Sequence, residues 1–133
     1  METKRILILE DDIKTLAVLM NGLRGLEEKL VKENINLSLM LLSEYTQVEK
    51  YLNNSSSNDF DLVLLDRDCK AGGSFHVFNI EQFCPKKIIA ISSVPEYNEE
   101  AKKRGVIEVV YKDYSNLENF VIQLIPLIKK MIL

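Results

Sequence analysis

Residues 60–68 read FDLVLLDRD, an apolar run closed by Asp66, with Asp68 two positions further on. Leu62, Val63, Leu64 and Leu65 show no polar alternation, which is how a strand buried on both faces of a parallel sheet reads. KRILILEDD at 4–12 and KKIIAISS at 86–93 repeat the arrangement, with branched apolar runs at 6–9 and 88–91 that end in polar residues. VIEVVYKD at 106–113 is similar, but Glu108 gives its strand the character of a sheet edge. Ile35-Asn36-Leu37-Ser38-Leu39 alternates, so it predicts a second edge strand with one face partly wet.

Amphipathic stretches separate these runs. Ile13, Leu16, Ala17, Met20, Leu23, Leu30 and Val31 recur at helical spacing and predict a long first helix, with Asp12 as its N-cap. Tyr45, Val48 and Leu52 mark a short second helix, which runs into the polar tract NNSSSND at 53–59, read as a loop. Phe75, Val77, Phe78 and Ile80 suggest a third, stopped by Pro85. A polar helix opens at Pro95 and ends at Gly105, with Lys102, Lys103 and Arg104 placed where cations complement the helix dipole. Leu117, Phe120, Val121, Leu124, Ile128 and Met131 form the stripe of a last helix, in which Pro126 should introduce a kink. Five strands alternating with five helices predict an α/β, doubly wound parallel sheet with right-handed crossovers. With the second and fifth strands at the edges, the flavodoxin-like order 2-1-3-4-5 fits best. Its ligand crevice lies at the carboxyl ends of the first and third strands, where the winding direction switches.

Composition narrows the function. At 133 residues the chain has the length of one domain, so 1–133 reads as a single unit. A 47% hydrophobic and 28% charged content argues against disorder. Seventeen Lys and Arg against twenty Asp and Glu leave a net charge of −3, which provides no electrostatic footprint for nucleic acid. Cys69 and Cys84 are too few and too far apart for zinc or a redox pair, and His76 is the only histidine. No Ser-His or Cys-His catalytic arrangement can be completed. No signal peptide opens the chain, and no apolar run approaches the roughly 20 residues needed to span a bilayer. The expectation is a cytoplasmic protein with reduced thiols.

The polar residues at the predicted crevice are chemically compatible. Glu10, Asp11 and Asp12 follow the first strand, Asp66 and Asp68 the third, Ser92 and Ser93 the fourth, and Lys112 the fifth. Any one of them could be a strand end meeting water; four strands ending this way is harder to dismiss. Converging carboxylates repel one another unless a cation joins them or one holds a proton. A hard divalent ion such as Mg²⁺, with one or two carboxylates, waters and a phosphoryl oxygen, satisfies the set. An ammonium and a hydroxyl suit the remaining phosphoryl oxygens, and a carboxylate can itself receive phosphorus.

In that ordered set of acidic pair, single Asp, hydroxyl and Lys, the chain resembles the receiver domains of two-component response regulators, CheY-like single-domain proteins included. The resemblance spans nearly the whole chain. It implies that Asp66 is the phosphoacceptor, that Glu10 and Asp11 organise Mg²⁺ with Asp66, and that the Asp68 backbone carbonyl completes the metal shell. It implies contact of the Ser92 hydroxyl and the Lys112 ammonium with the phosphoryl group. The implied partners are a histidine kinase or phosphotransfer protein and a downstream protein target, with no direct nucleic acid and no membrane. No output segment follows the last helix, so a stand-alone receiver or a piece of a larger phosphorelay is expected.

Four positions depart from the family pattern. Lys70 stands where proline is common, and Ser74 follows Gly72 and Gly73 at the usual glycine position. Asp113 replaces the proline after the lysine, where a cis peptide without proline would cost about 2.5–4 kcal/mol. Val109 replaces the aromatic that couples phosphorylation to output. Tyr111, two residues on and on the same face, is the expected substitute, unless it simply packs against the polar helix that opens at Pro95.

Two other readings stay open. LVLLDRD also looks like the hhhhDxD signature of haloacid-dehalogenase-type phosphatases, with Asp66 as nucleophile and Asp68 as acid/base. Against it, that signature normally sits on the first strand, with its acidic pair late in the chain. The third reading is a pseudo-receiver that binds a partner without phosphorylation.

Overall fold

The unalternating runs form the middle of a sheet because both of their faces are covered. The computed structural model describes residues 1–52, 57–68, 75 and 78–133, apart from the side chains at 49, 52 and 57. Strands β1 (Glu2–Leu9), β2 (Ile35–Leu42), β3 (Leu62–Asp66), β4 (Ile88–Ser92) and β5 (Glu108–Tyr111) form one parallel sheet of order β2-β1-β3-β4-β5. Every residue of β3 and β4 is buried, whereas β2 and β5 are partly exposed, as alternation and Glu108 anticipate.

Alternate side chains divide the core in two. Ile6, Ile8, Leu62, Leu64, Ile89 and Ile91 face α1 (Ile13–Lys32) and α4 (Leu117–Ile132) through Leu19, Leu23, Phe120 and Leu124. Leu7, Leu9, Val63, Leu65, Ile88 and Ala90 face the other way, toward Val48 of α2 (Tyr45–Leu52) and Ala101 of α3 (Pro95–Lys103). At Gly22 the two helices of the first layer come close: a Cβ there would meet Val121 Cγ1 at 2.6 Å, so only glycine fits without a shift.

The helix ends follow local chemistry. Asp12 caps α1 as the sequence predicts, accepting from the Thr15 amide at 3.0 Å and the Thr15 hydroxyl at 2.5 Å. After α3, the Gly105 amide donates to the Lys102 carbonyl and the Val106 amide to the Ala101 carbonyl, with Gly105 at φ 101°. This is a Schellman ending, whose left-handed residue favours glycine, and it brings buried Val106 back into the second core layer. Helix α4 runs through Pro126, whose exposed position places the helical carbonyl it leaves unbonded toward water.

One expectation needs correction. The described residues contain four α-helices, not five. Among residues 78–84, turns replace the expected third helix. The Phe78 amide donates to the Phe75 carbonyl, the Phe83 amide to the Ile80 carbonyl, and the Gln82 amide to the Asn79 side chain. A side chain that captures a nearby amide competes with the helical ladder, and Cys84 before Pro85 takes φ 58°, outside the helical region. Phe75, Phe78, Ile80 and Phe83 are nonetheless buried, so the apolar spacing there marks core contact along a looped segment. Val77, His76, Cys69, Lys70, Gly72, Gly73 and Ser74, like most of the tract at 53–59, lie outside the described residues; Ser57–Asp59 forms a short 3-10 turn.

Candidate functional site

Strand register assembles the polar groups. Leu9 pairs with Leu65, Asp66 with Ile91, and Ser92 with Tyr111, so the residues ending β1, β3, β4 and β5 lie along one edge of the sheet. Glu10, Asp66, Ser92 and Lys112 are all fully buried there, and Asp68 nearly so.

The Lys112 ammonium is the centre of the site. It donates to Glu10 Oε1 at 2.9 Å and to Asp66 Oδ1 at 2.8 Å, and lies 3.3 Å from Asp68 Oδ2. The other Glu10 oxygen accepts from the backbone amides of Asp11 at 2.9 Å and Asp12 at 3.1 Å, which fixes its orientation. Asp66 Oδ1 also accepts from the Asp68 amide at 2.9 Å, while its Oδ2 is buried with no hydrogen-bond partner. Burial, followed by the charge of Glu10, raises the Asp66 carboxyl to about 9, against the lowering influence of Lys112. Burial alone would lower the Lys112 ammonium, but Glu10 and Asp66 outweigh it and hold the lysine above its ordinary value.

One carboxylate oxygen from each of Glu10, Asp11 and Asp66 lies within 4.8 Å of the others. An all-oxygen donor set containing a raised carboxyl and an orphaned buried oxygen suits a hard divalent cation, which removes the repulsion that raises Asp66. The residues therefore fit a divalent metal ion.

Asp68 does more than the sequence anticipates. Its Oδ1 accepts from the Ser92 hydroxyl at 2.5 Å and the Ser93 amide at 2.9 Å, and its Oδ2 accepts from the Tyr114 hydroxyl at 2.9 Å. Burial opposes its ionisation, yet Ser92, Lys112, Ser93 and Tyr114 together hold this carboxyl below its ordinary value. The Ser92 oxygen in turn accepts from the Val94 amide at 2.9 Å.

Two participants had no role assigned from the sequence. Tyr114 reaches Asp68, with its ring 5.2 Å from the Lys112 ammonium, through a loop whose course no local pattern specifies. Arg67, between the two aspartates, is fully buried and pairs with Glu100 of α3 at 2.8 Å. An arginine flanked by strand-end acids on a buried run was the available signal. The Lys112–Asp113 peptide is trans, as are all described peptides.

No protein-family model and no curated protein sequence matches the chain. Solved structures do. The response regulator receiver domain from Rhodospirillum rubrum matches with TM-score 0.65 at 16% identity, over 95% of this chain and 94% of that one. A response regulator from Hahella chejuensis gives TM-score 0.66 at 16% identity, over 96% and 94%. The Mn(2+)-bound form of response regulator Rcp1 gives TM-score 0.63 at 15% identity, over 91% of both chains. The fold is that of the CheY-like receiver domains. Among the described residues, no helix is long and apolar enough to cross a membrane.

Proposed function

We propose that the chain is a phosphoacceptor receiver domain, taking a phosphoryl group onto Asp66 from a histidine kinase or phosphotransfer protein and signalling through protein–protein contacts in the cytoplasm. One observation carries this reading: Lys112 bridges Glu10 and Asp66 at 2.9 and 2.8 Å, at the sheet edge where a receiver fold keeps its site, while Asp66 Oδ2 is left without a partner. In the transfer, an Asp66 oxygen bonds to phosphorus as the donor's nitrogen–phosphorus bond breaks, and the electron pair leaves with that nitrogen. Lys112 holds the acceptor in place and offers its charge to the phosphoryl oxygens. The Ser92 hydroxyl and Ser93 amide face the same space as further donors. Mg²⁺, held by Glu10, Asp11, Asp66 and the Asp68 backbone carbonyl, would neutralise charge on the phosphoryl oxygens.

The role is signalling, with at most self-phosphorylation and self-dephosphorylation. Incubation with a small phosphodonor and Mg²⁺, followed by mass spectrometry, should add one phosphoryl group to the native protein and none to Asp66→Asn. Chelation should abolish the gain. Equal labelling of the variant overturns the assignment, and steady turnover of a phosphomonoester would point instead to the phosphatase chemistry that Asp66 and Asp68 also resemble.

A further inference from the structure

We propose that the Asp68 carboxylate is an internal occupant of the subsite that a phosphoryl group on Asp66 would fill, so that loading Asp66 requires this side chain to be displaced. The inference rests on the phosphoacceptor reading and adds a device specific to this chain. Three hydrogen-bond donors and one ammonium converge on one carboxylate: the Ser92 hydroxyl at 2.5 Å, the Ser93 amide at 2.9 Å, the Tyr114 hydroxyl at 2.9 Å and, as an ion pair, Lys112 at 3.3 Å. They come from the carboxyl end of β4 and the segment after β5, the two places from which an anion bonded to Asp66 would draw its contacts. Together they form an anion-binding arrangement, and the anion it holds belongs to the protein itself.

Two anions cannot share these donors. A phosphoryl group brings about two negative charges at neutral pH, and beside Asp68 it would face both repulsion and donors already committed. The Ser92 hydroxyl has one proton to donate and gives it to Asp68; the Val94 amide occupies a lone pair of the same oxygen. Meanwhile the Asp66 Oδ1 bond to the Asp68 amide ties the backbone of Asp68 to the acceptor. Displacement is therefore a turn of the side chain, with the strand end kept in place.

Because Ser92 and Ser93 already bind a carboxylate, the segment 92–94 should sense little change when a phosphoryl group replaces it. Removing the carboxylate should make that segment respond strongly.

The test uses beryllium fluoride with Mg²⁺ as the phosphoryl stand-in, titrated into native protein, Asp68→Ala, Tyr114→Phe and Asp66→Asn, and followed by the amide resonances of Ser93 and Val94. Asp68→Ala should bind about tenfold more tightly or better, since the competing charged hydrogen bonds are gone, and its Ser93 amide should shift further on binding than in native protein. In the free, metal-less proteins the Ser93 amide should exchange with solvent faster in Asp68→Ala. Tyr114→Phe, which removes one restraint on Asp68, should tighten binding by a smaller factor and keeps the test informative should Asp68→Ala fold poorly. Equal or weaker binding by these two variants, with native binding still dependent on Asp66, overturns the inference and leaves the phosphoacceptor reading standing. Binding by Asp66→Asn as tight as native, or no binding by any of the proteins, overturns both.

Discussion

The Asp66 carboxyl lies near 9 in the folded protein against an ordinary 3.8, because it is buried beside Glu10 and the shared Lys112 offsets only part of that effect. Between those values the folded chain keeps a proton that the unfolded chain has released, so folding takes up a proton and stability falls as pH rises. Metal-free protein should accordingly lose on the order of 1–3 kcal/mol between pH 5 and pH 8, measured by urea unfolding at each pH. In Asp66→Asn that loss should be absent, and Mg²⁺ well above its dissociation constant should flatten it in the native protein by binding only the folded form. A native pH profile as flat as that of the variant would mean Asp66 is ionised without a cation. Lys112→Met leaves the Glu10 carboxylate buried without its counter-ion, a change of the kind that costs about 3–5 kcal/mol in denaturant unfolding.

At the scale of elements, burial decides which ion pairs matter. Arg67 leaves the end of β3 fully buried and meets Glu100 of α3 at 2.8 Å, whereas Arg104 and Glu81 pair on the surface through two bonds of 2.8 Å. Glu100→Gln removes a partner from a buried guanidinium, and Glu81→Gln removes one from a hydrated guanidinium. The first should cost about 1–3 kcal/mol, the Glu100 side chain being itself half exposed, and the second clearly less. Comparable losses in denaturant unfolding would show that Arg67 is held by its other contacts. The same distinction explains what the sequence made legible. The strands and their order could be read because β3 and β4 are apolar on both faces, which only a covered parallel sheet allows, and the site residues because strand ends project them to one edge. The placement of Lys112, Asp66 and Glu10 at that edge needed no further information. The segment 78–84 was misread because its buried aromatics share a helix-like spacing while the Asn79 side chain and the Cys84 backbone, governed by local hydrogen bonding and Pro85, turn the chain elsewhere. The contacts of Tyr114 and the Asp68 side chain were illegible for another reason: they join groups 46 positions apart across loops without periodicity.

Across the whole molecule, the β4–β5 edge offers a change at the buried site a path to the surface. Ser92 pairs in register with Tyr111, and the Lys112 amide donates to the Ser92 carbonyl at 2.9 Å, so β5 is fastened to the residue whose hydroxyl an incoming anion would recruit. On β5 the side chains alternate: Val110 enters the layer of α1 and α4, Val109 packs half-buried against the other layer, and Tyr111, on the face of Val109, is 56% exposed. Val109 has packed neighbours and a short stiff side chain, which leave it little room to move. Tyr111 has a large ring, open space and the shorter path to Ser92. A two-state response travels through an element with two accessible arrangements, and the exposure of Tyr111 makes it the expected one. On addition of beryllium fluoride and Mg²⁺, the ring resonances of Tyr111 should therefore shift more than the methyl resonances of Val109. The difference should grow in Asp68→Ala, where Ser92 begins without a carboxylate partner and so has further to move. Exposure alone could make a ring sensitive to solvent, so the exposed Tyr51, 43% accessible on α2 and away from β5, provides the comparison. If Tyr51 shifts as much as Tyr111, or if Val109 shifts while Tyr111 does not, the signal leaves the site by another route.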